Sequence, residues 1–223
     1  MIRQLVMLTV LALTLFSYNV NAQTSQENFF DNQGRPFTKK NLEVDGDPYL
    51  FDKWLPGQVQ TVKDKTYSNF KIKYDVVDDV ILFAYDSADE PLKFVDEIKS
   101  FTIILPQPLT FNNGFPAIDK QTSQSYYQVI SNGPAKLLKR YTKTIFESKG
   151  YNTAAVKKFQ GFNIYYLYED GKIEKIDNPK KTLYALAGSK KTELDNYLKT
   201  NNINFKKDED LAKVFNYYNT LAL

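Results

Sequence analysis

The residue pattern between Tyr67 and Asp86 constrains the fold of this chain more than any other stretch. From Phe70 to Val76, large apolar residues alternate with lysine and aspartate, which is the period of a strand with one buried face and one exposed face. Asp78-Asp79 interrupts this alternation, and an apolar segment from Val80 to Tyr85 follows. Two short strands joined by a tight acidic turn predict a β-hairpin, and therefore an antiparallel sheet.

Similar strand patterns continue to Ile176 and are separated by short turns, the clearest of which are Asn132-Gly133 and Glu169-Asp170-Gly171. We expect Pro48–Gly57, which holds the single tryptophan, to form a short helical turn or an extended clip that ends at Pro56-Gly57. The pattern as a whole predicts an antiparallel β-meander of about 8–10 strands. It leaves open whether the sheet is a sandwich, a curled sheet or a partial barrel.

The apolar period changes to that of helices at Asn178-Pro179, where Asn can cap a helix and Pro can occupy its first position. A second helix is predicted after a cap at Ser189. A third helix begins with acidic residues at 208–210, which the helix dipole favours, and has an apolar stripe from Leu211 to Tyr218. About three C-terminal helices after the meander define an α+β class.

The first 22 residues have the pattern of a secretory signal peptide. Arg3 precedes an apolar run from Leu5 to Phe16 that is too short to cross a bilayer of ~30 Å, and small residues end at Ala22. Gln23 stands where a lipoprotein would have cysteine. We therefore expect cleavage after Ala22, no lipid anchor, no transmembrane span in the mature chain, and a periplasmic or extracellular location.

Four segments follow from these patterns. Residues 1–22 are the predicted signal peptide and residues 23–45 a polar leader. Residues 46–177 form the predicted β domain, and residues 178–223 a helical segment packed on it.

The absence of histidine and cysteine excludes several kinds of catalysis. Serine–histidine and cysteine nucleophiles, the usual zinc sites and histidine-held haem all need one of these residues. A net charge of +3 is far below what a nucleic-acid-binding protein usually carries. The composition thus favours a chain that is not an enzyme, binds no nucleic acid and uses no cofactor or metal.

Two groups of acidic residues are candidates for a functional site. Asp75, Asp78 and Asp79 are close enough in the hairpin to hold Ca²⁺, and Asp45 and Asp47 form a weaker case, although aspartate is common in turns without any metal. A pair of carboxylates across a cleft can also hydrolyse a glycoside. The sequence does not single out such a pair among its 26 acidic residues.

The densest basic region surrounds Tyr141 and comprises Lys139, Arg140 and Lys143, with further lysines at 136, 149, 157 and 158. Basic residues between aromatic ones can bind anionic glycans, lipid headgroups or phosphates. The same residues can equally form an ordinary exposed strand face. Trp54 has two interpretations as well, as a plug at one end of the core or as a platform for a ligand.

Four stretches together carry a resemblance: DPYLFDKWLPG, KIKYDVVDDVILF, NGFP and FKKDEDLAKVFNYYN. The combination resembles a group of uncharacterised exported proteins of Gram-negative bacteria. The resemblance implies export and a β-then-α arrangement, and it implies no activity.

These observations predict an exported, non-catalytic protein of the cell envelope that binds another envelope protein or a glycan. The main alternative is a carrier that holds a small apolar molecule in a barrel-like pocket. A carboxylate-dependent hydrolase is a third hypothesis. The oligomeric state is left open.

Overall fold

The computed structural model describes residues 34–36, 44–84, 91–149 and 155–221. The chain divides into two units, residues 1–34 and 35–223, and Gly34 is the only described residue of the first. The predicted signal peptide and most of the predicted leader lie outside the described residues.

The described residues form one sheet in which every strand pairing from β2 to β11 is antiparallel. Its eleven strands are β1 (Gly34–Pro36), β2 (Leu55–Thr61), β3 (Thr66–Asp75), β4 (Val80–Ala84), β5 (Leu92–Phe94), β6 (Ile98–Ile103), β7 (Leu109–Asn112), β8 (Tyr127–Ser131), β9 (Lys136–Ser148), β10 (Val156–Glu169) and β11 (Lys172–Ile176).

The spatial order of the strands is β1-β5-β4-β3-β2-β6-β7-β8-β9-β10-β11, so the sheet is open. Strands β2 to β5 form one meander and β6 to β11 another, and the two join where β6 pairs with β2. The prediction of an antiparallel sheet is confirmed, but a simple meander misses this join. No local turn signal can indicate it, because β6 returns to a strand that lies four strands earlier in the chain.

The expectation that a turn or clip ends at Pro56-Gly57 is wrong, because both residues belong to strand β2. Leu55 pairs with Ile72 and Gly57 with Phe70, so Pro56-Gly57 lies inside a strand instead of ending a clip. A side chain at Gly57 would meet Ile72 at 2.3 Å. Glycine is therefore required here by close packing, although the residue type alone suggested a turn.

Among the described residues, three apolar clusters make up the core. The first lies over β2 to β7 and is rich in stacked and tilted aromatic rings, including Tyr74, Phe101 and Phe111. The second lies between β9 to β11 and the C-terminal helices. The third is on the opposite face of β8 to β11, since its members Leu138 and Tyr166 alternate with Leu137 and Leu167 of the second.

Three α-helices follow the sheet: α1 (Pro179–Ala187), α2 (Lys191–Thr200) and α3 (Asp208–Leu221). The predicted cap of α1 is confirmed, because the Asn178 side chain accepts a hydrogen bond from the Lys181 N–H at 3.1 Å. The predicted cap at Ser189 is wrong. Residues Gly188–Lys190 form a 3₁₀ turn that leads directly into α2, and no side chain caps that helix.

Helix α3 is joined to the β8–β9 turn by a buried side chain. Asn219 accepts a hydrogen bond from the Ala135 N–H at 3.0 Å and donates one to the Ala135 carbonyl at 2.9 Å. Gly133 leaves room for this contact, since a Cβ there would lie 2.4 Å from Asn219 Nδ2. Within the described part of the chain, no helix is long and apolar enough to cross a membrane.

Candidate binding surface on the long hairpin

The hairpin formed by β9 and β10 extends beyond its neighbours. These strands have 13 and 14 residues, but β8 pairs with β9 only as far as Lys139, and β11 pairs with β10 only from Tyr165. We call residues 142–149 and 155–163 the hairpin arm. Among the described residues, the only backbone pairing along its sides is one bridge between Asp45 and Lys158.

The hairpin arm exposes large apolar side chains. Ile145, Phe146, Val156 and Phe162 have exposed fractions of 45%, 57%, 55% and 46%, and they are half of the large apolar side chains exposed in the described residues. The register places Phe162 opposite Thr142, Lys158 opposite Phe146 and Val156 opposite Ser148. Because paired residues share a face, Phe146, Val156 and Phe162 lie on one face of the arm and Ile145 on the other.

The arm also carries positive charge. Its charged residues are Lys143, Lys149, Lys157 and Lys158, against a single acid, Glu147. Lys143 is held by the Asp47 carboxylate at 3.3 Å and by the Asp47 carbonyl at 3.0 Å. Within the described part of the chain, the ammonium groups of the other three lysines form no ion pair, so they are available to a negatively charged partner.

The basic residues predicted as a binding surface lie at the base of the arm, and the two most central ones are buried. Lys139 is 7% exposed, and its ammonium group lies 2.6 Å from Asp208 Oδ2 at the start of α3. Tyr165 donates to the other oxygen of Asp208 at 2.8 Å, and Tyr141 donates to Gln128 at 2.6 Å. Burial, reinforced by the Asp208 carboxylate, raises the pKa of both tyrosines. This cluster joins the helices to the sheet.

Arg140 points to the opposite face and is 6% exposed. Its guanidinium lies 2.9 Å from Asp79 Oδ2 and donates to the Tyr126 carbonyl at 3.0 Å. Burial lowers the pKa of Arg140, but the nearby Asp79 carboxylate outweighs it, so the net pKa is raised and the group stays charged. Asp79 also accepts a hydrogen bond from Tyr74 at 2.5 Å. This charge pair thus connects the turn of the first hairpin to β9.

The other residues singled out in the sequence, Trp54 and the aspartates of the first hairpin, contact neighbouring residues of the fold. Trp54 is half-buried and directly precedes β2, with the Lys73 ammonium 5.7 Å from its ring centre. Asp75 accepts hydrogen bonds from the Val77 and Asp78 N–H groups, both at 3.0 Å. Within the described part of the chain, no three acidic side chains come together as a metal site.

Sequence reasoning missed the apolar part of the candidate surface. The sequence pattern around Phe146 and Phe162 is that of strands, and aromatic residues in a strand usually face a core, so the pattern does not indicate that these two rings are exposed. The signal that could have indicated exposure is the distance between the two predicted turns, Asn132-Gly133 and Glu169-Asp170-Gly171, which leaves room for strands longer than their neighbours. Within the described residues, the outer parts of β9 and β10 lie beyond the pairing of β8 and β11.

No protein-family model, curated protein or solved structure matches this chain. The geometry of the described residues is therefore the basis for a functional proposal.

Proposed function

We propose that this chain is an exported, non-catalytic protein of the cell envelope that binds another envelope protein through the hairpin arm. The observation that carries this proposal is the arm that extends beyond the neighbouring strands, with apolar side chains on both faces. Beside them are Lys149, Lys157 and Lys158, which form no ion pair within the described residues. Exposed apolar patches rimmed by polar residues are typical of interaction surfaces. Export is proposed from the pattern of residues 1–22.

A protein partner fits this surface better than a glycan. Glycan sites use aromatic rings together with several hydrogen-bonding side chains in a concave surface. The arm projects from the sheet, and Ile145 and Val156 offer no hydrogen bond to a sugar. The carrier hypothesis needs an enclosed apolar pocket. The sheet is open, and two clefts of the described residues, near Glu169 and near Asp96, are themselves open and edged by carboxylates.

Affinity capture with matched variants tests this function. The tagged mature chain, beginning at Gln23, would be crosslinked in the envelope of its own host. The arm variant carries Phe146→Ser and Phe162→Ser, and the control carries Val77→Ser and Ile104→Ser, two apolar residues of comparable exposure outside the arm. We expect one dominant protein that the control retains and the arm variant loses.

Two results would contradict the proposal. Equal capture by the arm variant would show that the arm is not the binding surface. Capture that survives protease treatment of the envelope material would indicate a glycan as the partner.

A further inference from the structure

We propose that the free edge of β9 on the hairpin arm binds an extended, acidic segment of the partner as an additional strand. This inference rests on the proposed function, because it assigns a binding mode to the same arm. It is carried by the direction of the backbone groups on this edge and by the charge beside it.

The bridge to Asp45 reveals which backbone groups of the arm face outward. The Phe159 N–H donates to the Asp45 carbonyl at 3.1 Å, and the Lys157 carbonyl accepts from the Asp45 N–H at 2.8 Å. Phe159 and Lys157 therefore direct their backbone groups away from β9. In an antiparallel ladder, two opposed residues either exchange hydrogen bonds or both point outward.

The same alternation applies to β9, whose Ile145 and Glu147 lie opposite Phe159 and Lys157. Both residues therefore direct their N–H and carbonyl groups to the side away from β10. On that side β8 ends its pairing at Lys139, so the described residues provide no strand partner for these groups. An unpaired strand edge beside exposed apolar side chains is a template for an added strand.

Charge distinguishes among the possible occupants. Three lysines of each arm, Lys149, Lys157 and Lys158, against the single Glu147 would repel a second copy of the chain, while Lys143 is already paired with Asp47. A lipid surface suits the lysines and the phenylalanines, but the hydrocarbon region cannot hydrogen-bond an open strand edge. An extended protein segment satisfies the edge, and acidic side chains on it complement Lys149, Lys157 and Lys158.

Selection from a display library of short random peptides on the immobilised mature chain tests this binding mode. Selected peptides would be synthesised and their Kd values measured by fluorescence anisotropy. Ile145→Pro removes an outward-facing N–H without breaking the β9–β10 ladder, and Ile145→Ala is its control because it loses the same side chain and keeps the N–H. Matching thermal unfolding curves of the two variants would show that both arms are folded.

We expect selected peptides to alternate apolar and acidic residues, and to bind the Ile145→Pro variant at least roughly tenfold more weakly than the Ile145→Ala variant. Reversing charge with Lys157→Glu and Lys158→Glu should weaken them by a similar factor, and added salt should weaken binding to the wild-type chain.

Three outcomes would overturn the inference. Equal affinity of the proline and alanine variants would mean that peptides contact side chains and not the strand edge. Selection of peptides without acidic residues, or of none that depends on the arm, would exclude an acidic strand. Lysine-dependent sedimentation with phosphatidylglycerol vesicles and no arm-dependent peptide would indicate a lipid surface. The first result leaves the proposed function standing, since the arm capture experiment is independent of the edge.

Discussion

Two adjacent tyrosines on β10 differ in what their hydroxyl groups contact. Tyr165 donates a hydrogen bond to the Asp208 carboxylate, whereas the buried hydroxyl of Tyr166 has no hydrogen-bond partner in the described residues. Alternation along the strand places the two tyrosines on opposite faces of the sheet, so their hydroxyl groups have different surroundings.

Removing each hydroxyl should therefore have opposite consequences. Tyr165→Phe leaves Asp208 and Lys139 without one partner and should lower the free energy of unfolding by about 1.5–3 kcal/mol, the range for a hydrogen bond to a charged group. Tyr166→Phe should be neutral or stabilising, because it removes a buried polar group without a protein partner. Urea unfolding of the two variants measures both effects, and a larger loss for Tyr166→Phe would contradict this assignment.

The buried carboxyl group of Asp75 should make the stability of the chain depend on pH. Burial raises the pKa of this carboxyl, although the two backbone N–H groups that it accepts from lower it in part. Because the pKa is higher in the folded state than in the unfolded state, the charge of Asp75 disfavours folding as the pH rises through that folded pKa. The contribution of this group to stability is greatest at acidic pH.

Asp75→Asn keeps the acceptor of the turn and removes the buried charge. We expect the variant to match or exceed the wild type in free energy of unfolding near neutral pH, and its relative advantage to shrink as the pH falls to about 4. Asp75→Ala should lose about 1–3 kcal/mol at either pH, because it leaves the backbone donors unpaired. A stability difference between the asparagine variant and the wild type that does not change with pH would refute the argument.

At the scale of elements, helix α3 is attached to the sheet at both ends. Asp208 in its first turn binds Lys139 and Tyr165, and Asn219 in its last turn binds both backbone groups of Ala135. Between these ends, Leu211, Val214 and Phe215 pack into the second apolar cluster. The helix is thereby fixed along its length against β8 and β9.

A double-mutant cycle tests the contact between Gly133 and Asn219. Gly133→Ala should destabilise the chain by about 1–3 kcal/mol through overpacking, and Asn219→Ala should cost a similar amount because buried backbone groups lose their partners. The double variant should lose less than the sum of the two, since removing the amide makes room for the added methyl group. Additive losses in thermal or urea unfolding would show that the two residues do not interact as described.

At the scale of the whole molecule, stability and the proposed binding surface are separated. The first apolar cluster lies over β2 to β7, the second lies between β9 to β11 and the helices, and the third lies on the opposite face of β8 to β11. Residues 144–148 of the arm, in contrast, are all exposed. The arm therefore contributes little to the core, and its sequence is free to serve another purpose.

Shortening the arm should test this separation. Replacing residues 145–159 by Asn-Gly joins Thr144 to Gln160 through a tight hairpin turn. These two residues face each other, and the alternation of the ladder makes them a pair that exchanges backbone hydrogen bonds. We expect the free energy of unfolding to change by less than about 1 kcal/mol, as for surface changes in general, while capture of the envelope partner is lost. Unfolding of the shortened chain would show that the arm is part of the folding core.

The sequence by itself determined the features that depend on local periodicity and local caps. The alternation of residues 70–76 predicted β3, the Asn178-Pro179 pair predicted the start of α1, and the acidic turn with its apolar stripe predicted α3. These signals are reliable because each involves residues within a few positions of one another.

Only the tertiary structure decided which strands are neighbours and what the basic residues do. Lys139 pairs with Asp208, which is 69 positions away in the chain. Arg140, on the opposite face of β9, pairs with Asp79. Because both partners are distant in sequence, no local pattern predicts that the two cations are buried and paired. The exposure of the arm was likewise decided by the tertiary structure. A strand residue is buried or exposed according to whether another element covers it, and that covering is set by contacts distant in the chain.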